Sequence, residues 1–422
     1  MAARRFYDKL ETRDPEERER DLMATLPHQI AHAKRQAPYF GKLLRDFAPQ
    51  AVTSRRALAD LPVTRKSQLL ELQKEKPPFG GLVAATRSSL ARVFMSPGPI
   101  YDPEGRRPDY WRMGRALFAA GFRAGDLIHN CYSYHLTPAG SMIEGGAQAL
   151  GCTVIPGGTG QTELQVRAIA ELMPSGYVGT PSFLRLILAK AQELEADLSS
   201  IRRALVGGEA FTPALQKAIA GAGIAAYQSY GTADLGSIAY ETPAREGLVI
   251  DEGVIVEIVR PGTGDPVPEG EVGEVVVTTL TADYPLIRFG TGDLSAILPG
   301  ISPCGRTNQR ISGWMGRADQ STKVKGMFVH PEQIAELVKA HEGAVRARLV
   351  VSHDGRTDLI TLRTEVDDGT DPALAKRLAQ SLTAITKLSG VVELVPAGTL
   401  PNDGKVIDDT RLRPIERPSR GG

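Results

Sequence analysis

Between residues 127 and 231 the chain alternates short apolar runs with amphipathic stretches four times, and no other feature restricts the fold as much. LIHNCYSY, CTVIP, GYVGT, IRRALVGG and IAAYQSYG read as strands. Between them PAGSMIEGGAQALG, ELQVRAIAELM, SFLRLILAKAQEL and PALQKAIAGAG read as helices. Strands joined by helices of this length run parallel, because each helix carries the chain back to the starting edge. The expectation is an α/β fold with a mainly parallel sheet and helices on both faces. Ligands of such sheets bind beyond the carboxyl ends of the strands.

The flanking segments follow other patterns. Over residues 16–45, Leu22, Leu26 and Ile30 recur at helical spacing, and Pro27 predicts a bend. Residues 108–122 read as a helix ending near Gly121. After Gly231, VIVEIVRPGTGDPVPEGEVGEVVVTTL carries apolar alternation on both sides of a Gly/Pro turn, which predicts a long antiparallel hairpin. From about Gly316 the pattern changes again. Pro331 opens a helix, ARLVVSHDGRTDLITLRTEV predicts two strands around a turn, and VVELVP a last strand. Between them, Asp371-Pro372 starts a helix carrying Leu374, Leu378, Leu382 and Ile385 on one face and closed by Gly390. A large domain over 1–318 and a small α+β domain over 319–422 are therefore expected, which suits a chain of 422 residues.

Charge and cysteine content exclude several classes. Lys plus Arg is 50 and Asp plus Glu is 49, so binding nucleic acid through bulk charge is not expected. Three cysteines without a CxxC pair do not make a disulfide framework and fit a reducing compartment. No apolar run approaches membrane-spanning length, and the opening MAARRFYDKLETRDPEERERD lacks the apolar core of a secretory signal. A cytoplasmic protein away from membranes is expected.

Six short segments carry candidate chemistry, each with an ordinary structural alternative. GGTGQT, 157–162, lies between a strand and a helix but lacks the GK[ST] of a phosphate loop, so a tight connection is the simpler reading. Gly207-Gly208-Glu209-Ala210 ends a strand where a flat ligand can lie against backbone. Tyr230-Gly231-Thr232-Ala233-Asp234 offers a ring for stacking and a carboxylate for Mg²⁺, or simply a turn. Asp293, in IRFGTGDL, can accept hydrogen bonds from ribose hydroxyls. Gly316-Arg317-Ala318-Asp319 sits where the pattern changes, and Lys405 ends the turn Pro401-Asn402-Asp403-Gly404-Lys405.

Taken in order, GGE, YGTAD, RFGTGDL, GRAD and the late GK resemble the adenylate-forming acyl-CoA synthetases, and most of all the phenylacetate–CoA ligases. The likeness extends over HAKRQAPYFGKLLRD, LADLPVTRKSQL, VIPGGTGQTELQV, GEVGEVVVTTLTADYPLIRFGTGDL and CGRTNQRISGWMGRAD. It implies ATP-dependent activation of an aromatic, phenylacetate-like acid to its adenylate, then transfer to coenzyme A. ATP, Mg²⁺ and coenzyme A are the implied cofactors, and a homodimer the implied assembly. By resemblance Gly208, Glu209, Ala210, Tyr230, Gly231, Thr232, Asp293 and Arg317 bind nucleotide, and Asp234 holds Mg²⁺. Asp319 is the hinge of a mobile lid domain, Lys405 the catalytic lysine, and Tyr134, in NCYSYH, lines the aromatic-acid pocket.

The phosphate loop departs from the family pattern. Its place is taken by Ser96-Pro97-Gly98-Pro99-Ile100-Tyr101-Asp102, with Ser96, Gly98 and Tyr101 as the candidate contacts. Two prolines remove two N–H donors, the usual lysine is missing, and Asp102 brings a charge of the wrong sign. Ala233 stands for the family's Ser or Thr and Asp234 for its Glu. A member that binds nucleotide, acyl-adenylate or acid without ligation is therefore the alternative, and loading of a carrier-protein thiol a third reading. The zinc site of some relatives is not expected, because ETPAREGLVIDEG lacks Cys and His.

Overall fold

The computed structural model describes residues 5–318, 321–324, 327–353, 357–367 and 373–412. Two compact units divide the chain. One comprises Met1–Glu257, Val276–Thr291 and Ala296–Trp314, the other Ile258–Val275, Gly292–Ser295 and Met315–Gly422.

The alternation over 127–231 folds as its pattern predicts. Five strands, Leu127–Asn130, Thr153–Ile155, Gly176–Gly179, Arg203–Val206 and Ala225–Thr232, pair in parallel within a nine-stranded sheet. Helices Ala139–Leu150, Thr162–Leu172, Pro181–Glu193 and Pro213–Gly221 connect them. Thr180 and Thr212 cap the last two, each accepting from a backbone N–H three residues on, with proline at the first helical position. Two apolar clusters pack on the sheet, one around Phe122, Ile128 and Leu205, the other around Tyr177, Leu184 and Val206. The sheet then turns antiparallel: Gly236–Glu241 pairs with Ala225–Thr232, and Leu248–Ile250 with Gly236–Glu241.

Two helical expectations change in detail. The first helix, Pro15–Gln36, continues past Pro27, and the break falls at Ala37, which Pro38 forces into extended backbone. The helix expected over 108–122 is shorter, Met113–Ala119. Asp109 and Arg112 have positive φ, 46° and 62°, and the Asp109 carboxylate accepts from the backbone of Met113 and Gly114. Side-chain capping ends the turn where helix was expected.

The predicted hairpin appears as neighbouring strands Val254–Val259 and Gly273–Thr279, in a sheet with Phe289–Ser295 and Thr64–Arg65. The second unit is α+β. Its sheet runs in the order Val391–Pro396, Asp358–Val366, Ala344–His353, Ile407–Asp409. Helices Pro331–Lys339 and Ala373–Thr386 pack on it through Ile334, Leu337, Leu374, Leu378 and Leu382. The strand Ile407–Asp409 was not expected. Asp371-Pro372, the expected start of the second helix, lies outside the described residues, as does Asp319. Among the described residues no helix is long and apolar enough to cross a membrane.

Candidate active site

The carboxyl end of the strand Ala225–Thr232 carries the site in the first unit. Tyr230, Gly231 and Thr232 pair there with Gly236–Glu241 through a register shift between Tyr230 and Gly231. A Cβ on Gly231 would stand 2.4 Å from the Gly236 carbonyl oxygen, so this crossing of two backbones requires glycine. The buried Tyr230 ring is held by its hydroxyl, which lies 3.3 Å from the Thr291 hydroxyl.

These residues border a cavity of about 390 Å³. Its wall also includes Gly208 from the neighbouring strand end, Ser96 and Pro97, Tyr132, and the apolar group Met113, Pro138, Met142 and Ile143. Among the described residues no charged side chain lines it. A cavity of this size with an apolar wall and a few fixed polar groups suits a small organic ligand.

The other sequence candidates are arranged differently. Glu209 and Ala210 are exposed beside Gly208, and Glu209 accepts from the Ser182 backbone N–H at 2.6 Å, capping the helix Pro181–Glu193. Tyr134 does not line the cavity; its neighbour Tyr132 does. The Tyr134 hydroxyl accepts from the Asn130 side chain at 2.8 Å, and its ring packs on Gly140. GGTGQT forms the expected tight connection. Gln165 donates to the Gly157 carbonyl at 2.8 Å and pairs with His129 at 2.6 Å, tying the loop to the sheet.

The segment 96–102 is a hairpin tip rather than an open loop. Ser96 pairs with Ile100, and Pro97, Gly98 and Pro99 form the exposed turn. Tyr101 points outward, its backbone bonded on both sides to the Gln73 amide. Asp102 brings no free charge to the tip: it is fully buried, with the Ser96 hydroxyl 2.8 Å from its Oδ2. Burial, reinforced by the nearby Asp234 carboxylate, holds the Asp102 carboxyl well above the usual range, against the opposing pull of Ser96 and Lys66.

Lys66 is the residue that sequence reasoning missed. Its ammonium lies 2.5 Å from Asp234 Oδ2, and the Asp234 side chain is fully buried. Lys66 thus pairs with a carboxylate 168 positions away in sequence. The Asp234 carboxylate, the residue expected for Mg²⁺, is thus ion-paired through Oδ2, while its buried Oδ1 has no hydrogen-bond partner. Among the described residues no group of three or more His, Cys, Asp or Glu is placed to hold a metal.

In the second unit Arg317 donates to Asp293 at 2.9 Å, and a backbone bridge joins the same two residues. Two of the predicted nucleotide residues are thus paired with each other. Lys405 follows a turn fixed by Asn402, which accepts from the Val272 backbone at 2.9 Å and donates to the Gly270 carbonyl at 3.1 Å. The Lys405 ammonium is partly exposed, 4.0 Å from Asp408.

Residues 116–281 match the family described as AMP-binding enzyme. A phenylacetate-coenzyme A ligase of Aromatoleum evansii is 32% identical over 395 residues, covering 87% of this chain and 88% of the relative. The chain belongs to the phenylacetate–coenzyme A ligase family. The ligase of the same name from Thermus thermophilus is 31% identical, over 99% of this chain and 97% of its own. The protein is thus an acyl-CoA ligase of the adenylate-forming superfamily. A crystal structure of 2-hydroxyisobutyryl-CoA ligase in its postadenylation state superposes with a TM-score of 0.73 at 23% identity. It covers 97% of this chain and 93% of that one, and bears on the fold of the ligase family alone.

Proposed function

We propose that the protein activates an aromatic carboxylic acid with ATP and passes the acyl group to coenzyme A. A carboxylate oxygen attacks the α-phosphorus of ATP and pyrophosphate leaves. The thiolate of coenzyme A then attacks the acyl carbonyl and AMP leaves. The observation that carries this reading is the uncharged cavity with Tyr230 and Gly208 on its wall together with Met113, Met142 and Ile143. Tyr230 offers a face for adenine, and the apolar group suits a ring. Asp293, positioned by Arg317, is the group for ribose hydroxyls, and Lys405 the ammonium that stabilises charge on the α-phosphate. Tyr132 replaces Tyr134 as the aromatic residue proposed for the acid pocket. Rotation of the domain 319–422 about Asp319 exchanges Lys405 for the thiol between half-reactions. Mg²⁺ enters with the nucleotide, as part of the substrate.

Incubation of the full chain with ATP, coenzyme A and a panel of aromatic and aliphatic acids tests this. An aromatic acyl-CoA with matching AMP and pyrophosphate is the expected product. Thioesters from aliphatic acids alone, or ADP in place of AMP, would contradict it.

A further inference from the structure

Seven residues of the cavity wall carry a hydroxyl, and the reaction as described leaves two of these groups unused. Four are engaged within the protein. Ser96 is bonded to Asp102, Thr137 to the Ser133 carbonyl, Thr232 to the Leu235 backbone and Tyr230 to Thr291. The Ser237 hydroxyl is sealed inside the protein, out of reach of the cavity. Ser229 and Tyr132 remain.

Both are open to the cavity. Ser229 is half-buried on the strand Ala225–Thr232, and its Oγ is not sealed as that of Ser237 is. Among the described residues its hydroxyl has no hydrogen-bond partner. Tyr132, also half-buried, accepts from the Gly207 backbone N–H, and its own proton meets no acceptor among the described residues. Burial, reinforced by the nearby Glu209 carboxylate, holds the Tyr132 phenol above its usual range, so that proton stays in place. Gly207 brings the two groups together. A Cβ there would stand 3.1 Å from Ser229 Oγ and 3.1 Å from the Tyr132 hydroxyl oxygen, so the missing side chain leaves the space between them unfilled. Around them Met113, Met142 and Ile143 offer no hydrogen bond, and a polar group shut in with an apolar ligand pays for its lost water.

We propose that Tyr132 and Ser229 together determine specificity, clasping one oxygen substituent on the ring of the acid between their hydroxyls. The substituent is a hydroxyl, which accepts the Tyr132 proton and donates its own to Ser229 Oγ. An unsubstituted ring leaves both groups unpaired. An amino group donates but takes no proton well, because its lone pair is drawn into the ring, so the Tyr132 proton stays unpaired. Among the described residues the wall is uncharged, so a neutral substituent enters without facing a buried charge. This rests on the reading that the cavity receives an aromatic acid.

The test is kcat/KM for CoA-thioester formation with phenylacetate and its 2-, 3- and 4-hydroxy and amino derivatives. It compares the natural protein with Tyr132→Phe, Ser229→Ala and the double variant, each of which removes only hydroxyl oxygens. The natural protein should prefer one hydroxylated isomer over phenylacetate by about tenfold or more, and the amino derivative at the same ring position should gain less. Each single variant should lower that ratio, and the double variant should bring it towards one. A ratio within one sample is insensitive to the fraction of folded enzyme. Turnover with no preference for a hydroxylated ring, or a preference that survives in either single variant, overturns the assignment while leaving the proposed function intact. No turnover of any aromatic acid by the natural protein overturns both.

Discussion

Replacing Lys66 by alanine should strand a buried carboxylate. Asp234 is 2% exposed as a residue, its Oδ2 meets the Lys66 ammonium at 2.5 Å, and its Oδ1 has no hydrogen-bond partner. Removing one member of a buried pair typically costs about 3–5 kcal/mol, because the other charge stays behind unpaired. The Lys66 side chain is 27% exposed, so water screens part of the interaction and a smaller loss, about 2–3 kcal/mol, is expected. Nearby Asp102 adds a pH signature, since Lys66 opposes the upward displacement of its carboxyl. Without Lys66 the Asp102 carboxyl loses that opposing pull and is displaced further upward. A group whose folded pKa is raised stabilises fully at low pH and loses that contribution as pH rises through the folded value. The deficit of Lys66→Ala should therefore be small near pH 4 and complete at neutral pH. Urea unfolding followed by circular dichroism measures it, with Lys66→Met/Asp234→Asn as the uncharged double variant that should recover most of the loss. A loss under 0.5 kcal/mol at neutral pH, or one independent of pH, would refute the reasoning.

Other outcomes follow from single contacts. Gly231→Ala should destabilise the protein and reduce nucleotide affinity, because its Cβ would meet the Gly236 carbonyl at 2.4 Å; unchanged thermal unfolding and AMP calorimetry would contradict this. Lys405→Ala should slow adenylation by about 10²–10³ while leaving thiolysis of a supplied acyl-adenylate largely intact, and separate assays of the two half-reactions read the difference. Burial raises the Asp109 carboxyl to about 6, partly opposed by the N–H groups of Gly114 and Met113. Its stabilising contribution is complete below its unfolded value and is lost as pH rises through about 6. Asp109→Asn should flatten the pH dependence of stability between about pH 4 and 6 in urea titrations.

The parallel core was legible because its strands and helices differ in period and every connection is local. The shortened helix at Met113 depends on backbone at Asp109 and Arg112 that apolar spacing does not encode. The strand Ile407–Asp409 has three residues and is defined by its partner, Ala344–His353, rather than by its own pattern. At the site, strand ends marked Gly208 and Tyr230, both of which reach the cavity. Which of Tyr132 and Tyr134 faces it is set in a loop without periodicity. The Lys66–Asp234 pair joins residues distant in sequence, and Asp102 carries a charged letter into a buried position. Neither can be read without the tertiary contact.

The most direct test of the account is acid-dependent exchange of labelled pyrophosphate into ATP, measured without coenzyme A. An aromatic acid that fits the cavity should start the exchange, and Lys405→Ala should suppress it, since adenylation is reversible and precedes the thiol. Exchange that proceeds equally without acid, or that no aromatic acid starts, would contradict formation of an aromatic acyl-adenylate.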